Sequence, residues 1–141
     1  MKKQFRILNM ASVTFLMACI LATTPAYAIF GKLSTTLKAL YTLNGSTPNG
    51  NASVNQTKYP SVPAALSVSV SNVRVVDGTV LPISISDCPW YGPVAYLKIV
   101  GARASLSTYL PANCQVGRLS TITIAAQDGT ILLKGGYPWK I

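Results

Sequence analysis

The sequence predicts an all-β fold: a single antiparallel β-sandwich or small barrel of about eight strands, with one disulfide, preceded by a cleaved signal peptide. Three observations carry this. After Gly31, apolar residues alternate with Ser and Thr at period two, which turns Val, Ile and Leu toward a core and the hydroxyls toward water. Glycine-bearing turn signals punctuate these runs. Helical periodicity of useful length is absent except in the weak stretch 33–41.

The first 28 residues set the compartment. Lys2, Lys3 and Arg6 precede an apolar run from Ile7 to about Ala22, then Thr23-Thr24-Pro25 and the small-residue pattern Ala26-Tyr27-Ala28. This is the pattern of a secretory signal peptide with cleavage after Ala28. The run is broken by Asn9, Ser12 and Thr14, so it is a poor membrane span, for which about 20 mostly apolar residues are wanted. A retained anchor and lipidation at Cys19 are the alternatives. Residues 29–141 then form one domain, periplasmic or secreted, with no second hydrophobic span. They carry nine Lys and Arg against Asp77, Asp87 and Asp128, about +6. The cations are scattered, as on a solvated surface. The functional alternative is attraction to an anionic envelope glycan or an acidic protein. Nucleic acid is not expected, because no recognition motif is present.

The strands follow in order at about 33–43, 51–59, 65–76, 79–86, 94–100, 103–109, 119–127 and 130–137. The clearest are Leu66-Ser67-Val68-Ser69-Val70, Leu81-Pro82-Ile83-Ser84-Ile85 and Thr121-Ile122-Thr123-Ile124. Pro82 has no N–H for a ladder, which suggests an edge or a bulge. Asp77-Gly78 and Asp128-Gly129 read as hairpin dipeptides, since glycine takes positive φ freely. Asn44-Gly45 and Asn49-Gly50 bracket a loop. Whether Ile29–Leu43 joins the sheet is open.

Cys88 and Cys114 are the only cysteines after Ala28, and in an oxidising compartment they are expected to pair. Closing the loop between them is worth about 3 kcal/mol in chain-entropy terms. If successive strands are antiparallel, both cysteines lie at one end of the fold with the C-terminal Tyr137-Pro138-Trp139-Lys140, and the two Asp-Gly turns lie at the other.

Asp77-Gly78-Thr79-Val80-Leu81 recurs as Asp128-Gly129-Thr130-Ile131-Leu132. Similar hairpin chemistry accounts for the echo more simply than duplication. With Gly101-Ala102-Arg103-Ala104 and the run to Gly135, these motifs resemble a group of small secreted bacterial β proteins with no assigned activity. The resemblance spans roughly residues 66–136 and implies a sandwich-like fold. The two cysteine loops, 87–93 and 110–114, depart from that pattern.

Histidine and glutamate are absent from the sequence. This removes Ser-His-Asp and Cys-His catalysis and histidine-based metal sites in their usual forms. Asp77 and Asp128 serve turns, which leaves Asp87 without a partner carboxylate. No enzyme activity, metal or cofactor is expected. The candidate working surface is the stapled end, where Trp90 and Tyr91 sit between Pro89 and Pro93 beside Cys88. Rigid aromatics on a constrained loop give contact area at small entropy cost. Trp90 could instead plug the end of the core, and Trp139 could be either a ligand contact or a terminal latch. The expected function is an exported binding module recognising a glycan or a protein through Trp90, Tyr91 and Trp139. A structural subunit adding strands edge to edge and a secreted inhibitor are the alternatives.

Overall fold

A computed structural model describes residues 30–88 and 92–141. The signal-peptide segment lies outside the described residues, as do Pro89, Trp90 and Tyr91. Eight strands form: β1 (Gly31–Ala39), β2 (Asn49–Gln56), β3 (Ala65–Ser71), β4 (Val80–Ile85), β5 (Ala95–Lys98), β6 (Ala104–Tyr109), β7 (Thr121–Ala125) and β8 (Ile131–Gly136). All pairings are antiparallel, in a single sheet of order β5-β4-β7-β8-β1-β2-β3-β6. The sheet curls into a nearly closed barrel. Of the two predicted architectures, the barrel is the one adopted.

Alternation decides which side chains point inward. In β3, Leu66, Val68 and Val70 are buried while Ser67 and Ser69 face out. In β4 and β7 the buried set is Leu81, Ile83, Ile85, Ile122 and Ile124. The core runs continuously from Leu33 and Leu37 of β1 round to Leu133 of β8. Fully burying one such side chain is worth roughly 1.5–3 kcal/mol, so the inward set supplies the driving force for closure.

The open question about the N-terminal segment is answered: β1 is an interior strand between β2 and β8. The weak helical spacing of 33–41 is overridden by pairing on both sides. Pro82 also sits in an interior strand, opposite Tyr96 of β5. The β4–β7 ladder begins only at Ile83, so the missing N–H falls at a local edge.

One expectation needs correction. Asp128-Gly129 joins the paired strands β7 and β8 and is a true hairpin turn. There the Thr130 N–H donates to Asp128 Oδ1 at 2.9 Å. That backbone bond, with one from the Thr130 hydroxyl, holds the carboxyl below the usual range. Asp77-Gly78 is not a hairpin, because β3 and β4 are not neighbours. It carries a crossover past the turn that joins β5 to β6. Asp77 Oδ1 accepts from the Gly101 N–H of that turn at 2.9 Å, and Gly78 N–H donates to Ile99 O at 2.7 Å. The turn chemistry is the same in both copies, but the strand partners are set by long-range contacts that a dipeptide does not encode. Because β3 lies beside β6 and β7 beside β4, the chain makes two overlapping Greek keys.

Candidate functional site

The stapled end forms as expected. Cys88 and Cys114 are bonded, with Cα atoms 5.4 Å apart. Both cysteines are buried. The β6–β7 connection that holds Cys114 is tied to β2 and the β2–β3 loop. Asn113 N–H donates to Pro60 O at 2.9 Å. The Gln56 side chain makes two bonds to Val116: Nε2 donates to its carbonyl at 2.6 Å and Oε1 accepts its N–H at 2.9 Å. A side-chain amide thus does the work of one rung of a β ladder, just where β2 ends.

Ser120 is the second knot of this end. Its hydroxyl donates to Asp87 and accepts from the Gly117 N–H. Its carbonyl accepts from Trp139 Nε1 at 2.9 Å. Trp139 is only 8% exposed and belongs to the core. This burial is what a terminal latch requires, and the residue also lines a small depression with Arg118, Tyr137, Pro138 and Ile141. Trp90 and Tyr91, the other two candidates, lie outside the described residues. The Asp87 carboxylate, next to Cys88, is joined through Ser120 to the β6–β7 connection.

The outer wall of β1, β2, β3 and β6 presents a surface that the sequence analysis did not single out. The strand registers align Ser34, Ser53, Ser67 and Ser107 in one row across four strands. The next row is Thr36, Asn51, Ser69 and Ser105. These side chains line a shallow depression of about 470 Å³, rimmed by Lys32 and Lys140. Ser67 and Ser107 hydroxyls stand 3.4 Å apart. Serine and asparagine are depleted in strands relative to threonine, yet they occupy seven of these eight outward positions. That bias against β propensity was the available signal. It keeps the wall shallow, with backbone and hydroxyls within reach of a flat polar ligand.

Across β1 from this wall, the sheet opens. β1 and β8 pair at Lys38–Lys134 and Ala39–Leu133. The chain after β8 pairs with β1 again at Ser34–Lys140, where two backbone bonds of 2.8 Å close the ladder. Between these closures the β1 side runs from Ser34 to Lys38 and the β8 side from Lys134 to Lys140, two residues longer. The excess is forced out as an eyelet. Inside it the Thr35 hydroxyl replaces the missing rung, accepting from Gly136 N–H at 2.9 Å and donating to Gly136 O at 3.1 Å. Gly136 is required there: its φ is +130°, and a Cβ would fall 2.3 Å from Ser120 O. The eyelet is a second depression of about 470 Å³, lined by Lys38, Lys134 and Lys140 with Thr36, Thr121 and Tyr137. It meets the serine wall at Thr36 and Lys140.

Fold and wall together define a disulfide-stapled Greek-key barrel with a polar, lysine-rimmed outer face. No family model, curated protein or solved structure matches the chain. Among the described residues no group of three or more His, Cys, Asp or Glu could hold a metal ion, and no helix is long and apolar enough to cross a membrane.

Proposed function

We propose that this protein is an exported, non-catalytic binding module that recognises a glycan. The observation that carries this reading is the two-row array of Ser, Thr and Asn on the wall of β1, β2, β3 and β6. Sugar hydroxyls both donate and accept, and an array of small hydroxyls and amides offers both at short reach. A depression of this volume lies within the range of small-ligand sites. The stapled loop with Trp90 and Tyr91 is the second contact in this reading, since an aromatic face can cover a sugar ring.

The test is to thicken the wall without unfolding it. Ser53→Thr with Ser67→Thr adds two methyl groups at outward β positions. Stability should hold or rise, by up to about 1 kcal/mol for each site. Retention on immobilised neutral glucans or chitin fragments should fall. If no polysaccharide retains the parent protein, or the double variant binds as well as the parent, the wall is only a solvated surface.

A second reading, strand-edge assembly, is favoured by one observation. β5 and β6 end the sheet, and among the described residues they are joined only at the Val100–Arg103 bridge. Tyr96 and Tyr109 are exposed there, and the inward-pointing Leu106 is only partly buried. Unpaired edges invite added strands. Sedimentation velocity separates the two: concentration-dependent oligomers abolished by Tyr109→Pro, which removes an N–H facing away from β3, would favour assembly, and a monomer at all concentrations would favour the glycan module.

A further inference from the structure

We propose that the eyelet between β1 and β8 is the subsite for an acidic sugar unit, whose carboxylate, sulfate or phosphate group is held by Lys38, Lys134 and Lys140. The inference rests on the glycan-binding reading and specifies its ligand as anionic.

Three observations converge. Lys38 and Lys134 are cross-strand partners, directly opposite each other. Like charges in that relation destabilise a sheet. Lys140 is carried to the same depression by the Ser34–Lys140 closure. No carboxylate lines either depression. Asp128 serves its own turn, Asp77 bonds Gly101, and Asp87 accepts from Ser120. Three lysines therefore line one depression with no Asp among its lining residues.

The local backbone explains why the site is there. The two-residue excess between the closures opens the wall, and the absence of a side chain at Gly136 lets the displaced strand lie against the Ser120 backbone. The hydroxyls of Thr36 and Thr121 and the exposed ring of Tyr137 line the same space. An ammonium group is a compact donor suited to an oxyanion, and the tyrosine ring offers a face to the attached sugar. Continuity with the serine wall favours a chain of sugars that crosses β1.

The experiment measures affinity for dextran sulfate, polygalacturonate and phosphorylated mannan, with neutral dextran and poly-L-glutamate alongside. The parent protein is compared with Lys38→Gln/Lys134→Gln and with Lys58→Gln/Lys98→Gln, which removes equal charge elsewhere. The eyelet pair should weaken binding of at least one anionic glycan by about tenfold or more, and the control pair by less than about twofold. The preferred polymer identifies the acidic group. Binding should weaken as salt is raised. Equal losses in both double variants would overturn the proposal, reducing it to net charge. So would a lack of preference for any anionic glycan over dextran, or tighter binding of poly-L-glutamate than of all the glycans. Neutral dextran decides the parent reading separately: binding that survives the lysine changes but falls with Ser53→Thr/Ser67→Thr keeps the module and removes only its acidic subsite. The melting temperature should stay level in the control pair and hold or rise in the eyelet pair, where opposed like charges are removed, which excludes unfolding as the cause.

Discussion

Gln56→Leu should lower stability by about 2–5 kcal/mol, the largest effect expected of any single conservative-sized change in this barrel. Leucine fills nearly the same volume, so the loss is not one of packing. The Val116 N–H and C=O, both taken by the Gln56 amide, would be left in a place where Val116 is fully buried. An unsatisfied buried backbone group costs roughly 1–3 kcal/mol, and here there are two. The loss should appear in urea melts as a lower midpoint with little change in slope. Gln56→Glu tests the hydrogen-bond origin. Burial raises a carboxyl's pKa, and only the protonated form can both donate to Val116 O and accept from its N–H. Stability of that variant relative to the parent should therefore be greatest below the unfolded glutamate pKa of about 4.3. It should be lost as pH rises through the raised folded value. An unfolding free energy for Gln56→Leu within about 0.5 kcal/mol of the parent would mean that Val116 is not held by this amide.

Gln56 also marks the limit of what the sequence disclosed. Ala52, Val54 and Gln56 share the inward face of β2, so a polar residue stood where the alternation called for an apolar one. The predicted strand ran on to about residue 59, while the ladder stops at Gln56. The strand ends there because a side chain takes over pairing from the backbone, with a partner 60 positions away. Strand existence was legible throughout, since period-two burial is a local property, and eight strands were expected at nearly the observed places. The disulfide and the grouping of loops at each end were legible too, because antiparallel succession fixes which turns share an end. Pairing order was not. Asp77-Gly78 and Asp128-Gly129 are chemically alike, yet one closes a hairpin and the other bridges a Greek key. The lysines of the eyelet were hidden for the same reason. Lys38 and Lys134 are neighbours only because β8 returns to β1, and no spacing in the chain reports that. The Ser120 carbonyl that accepts from Trp139 Nε1 was likewise not legible in the chain. An aromatic ring with a polar tip serves equally as a contact or a latch until its partner is known.

Reducing the disulfide should cost about 3 kcal/mol. The bond joins positions 26 apart, and the loop it closes contains β5 and β6, the two strands at the ends of the sheet. Without the bond, that quarter of the barrel is tethered through the β3–β6 ladder, the β4–β5 ladder and the backbone bonds of Val73, Gly78 and Thr79 to the β5–β6 turn. The denatured chain also regains the freedom that the crosslink withheld. For a domain of this size, 3 kcal/mol corresponds to roughly 12–24 °C in melting temperature. The measurement is calorimetry of the oxidised protein, of the protein held in reductant, and of Cys88→Ala/Cys114→Ala. Reductant and substitution should agree, with the substituted protein somewhat lower because two buried side chains are also trimmed. The distribution of the loss carries the further lesson. Hydrogen exchange should quicken first in β5 and β6 and leave β1, β2 and β3 protected up to the global limit. The serine wall would then lose its β6 column, Ser105 and Ser107, while the β1–β8 eyelet kept its three lysines. Reduced protein should accordingly hold anionic glycan through the eyelet but lose the part of its affinity that depends on the wall. A uniform gain in exchange across all eight strands would mean that the staple holds the barrel as one unit, and binding to both depressions should then fail together.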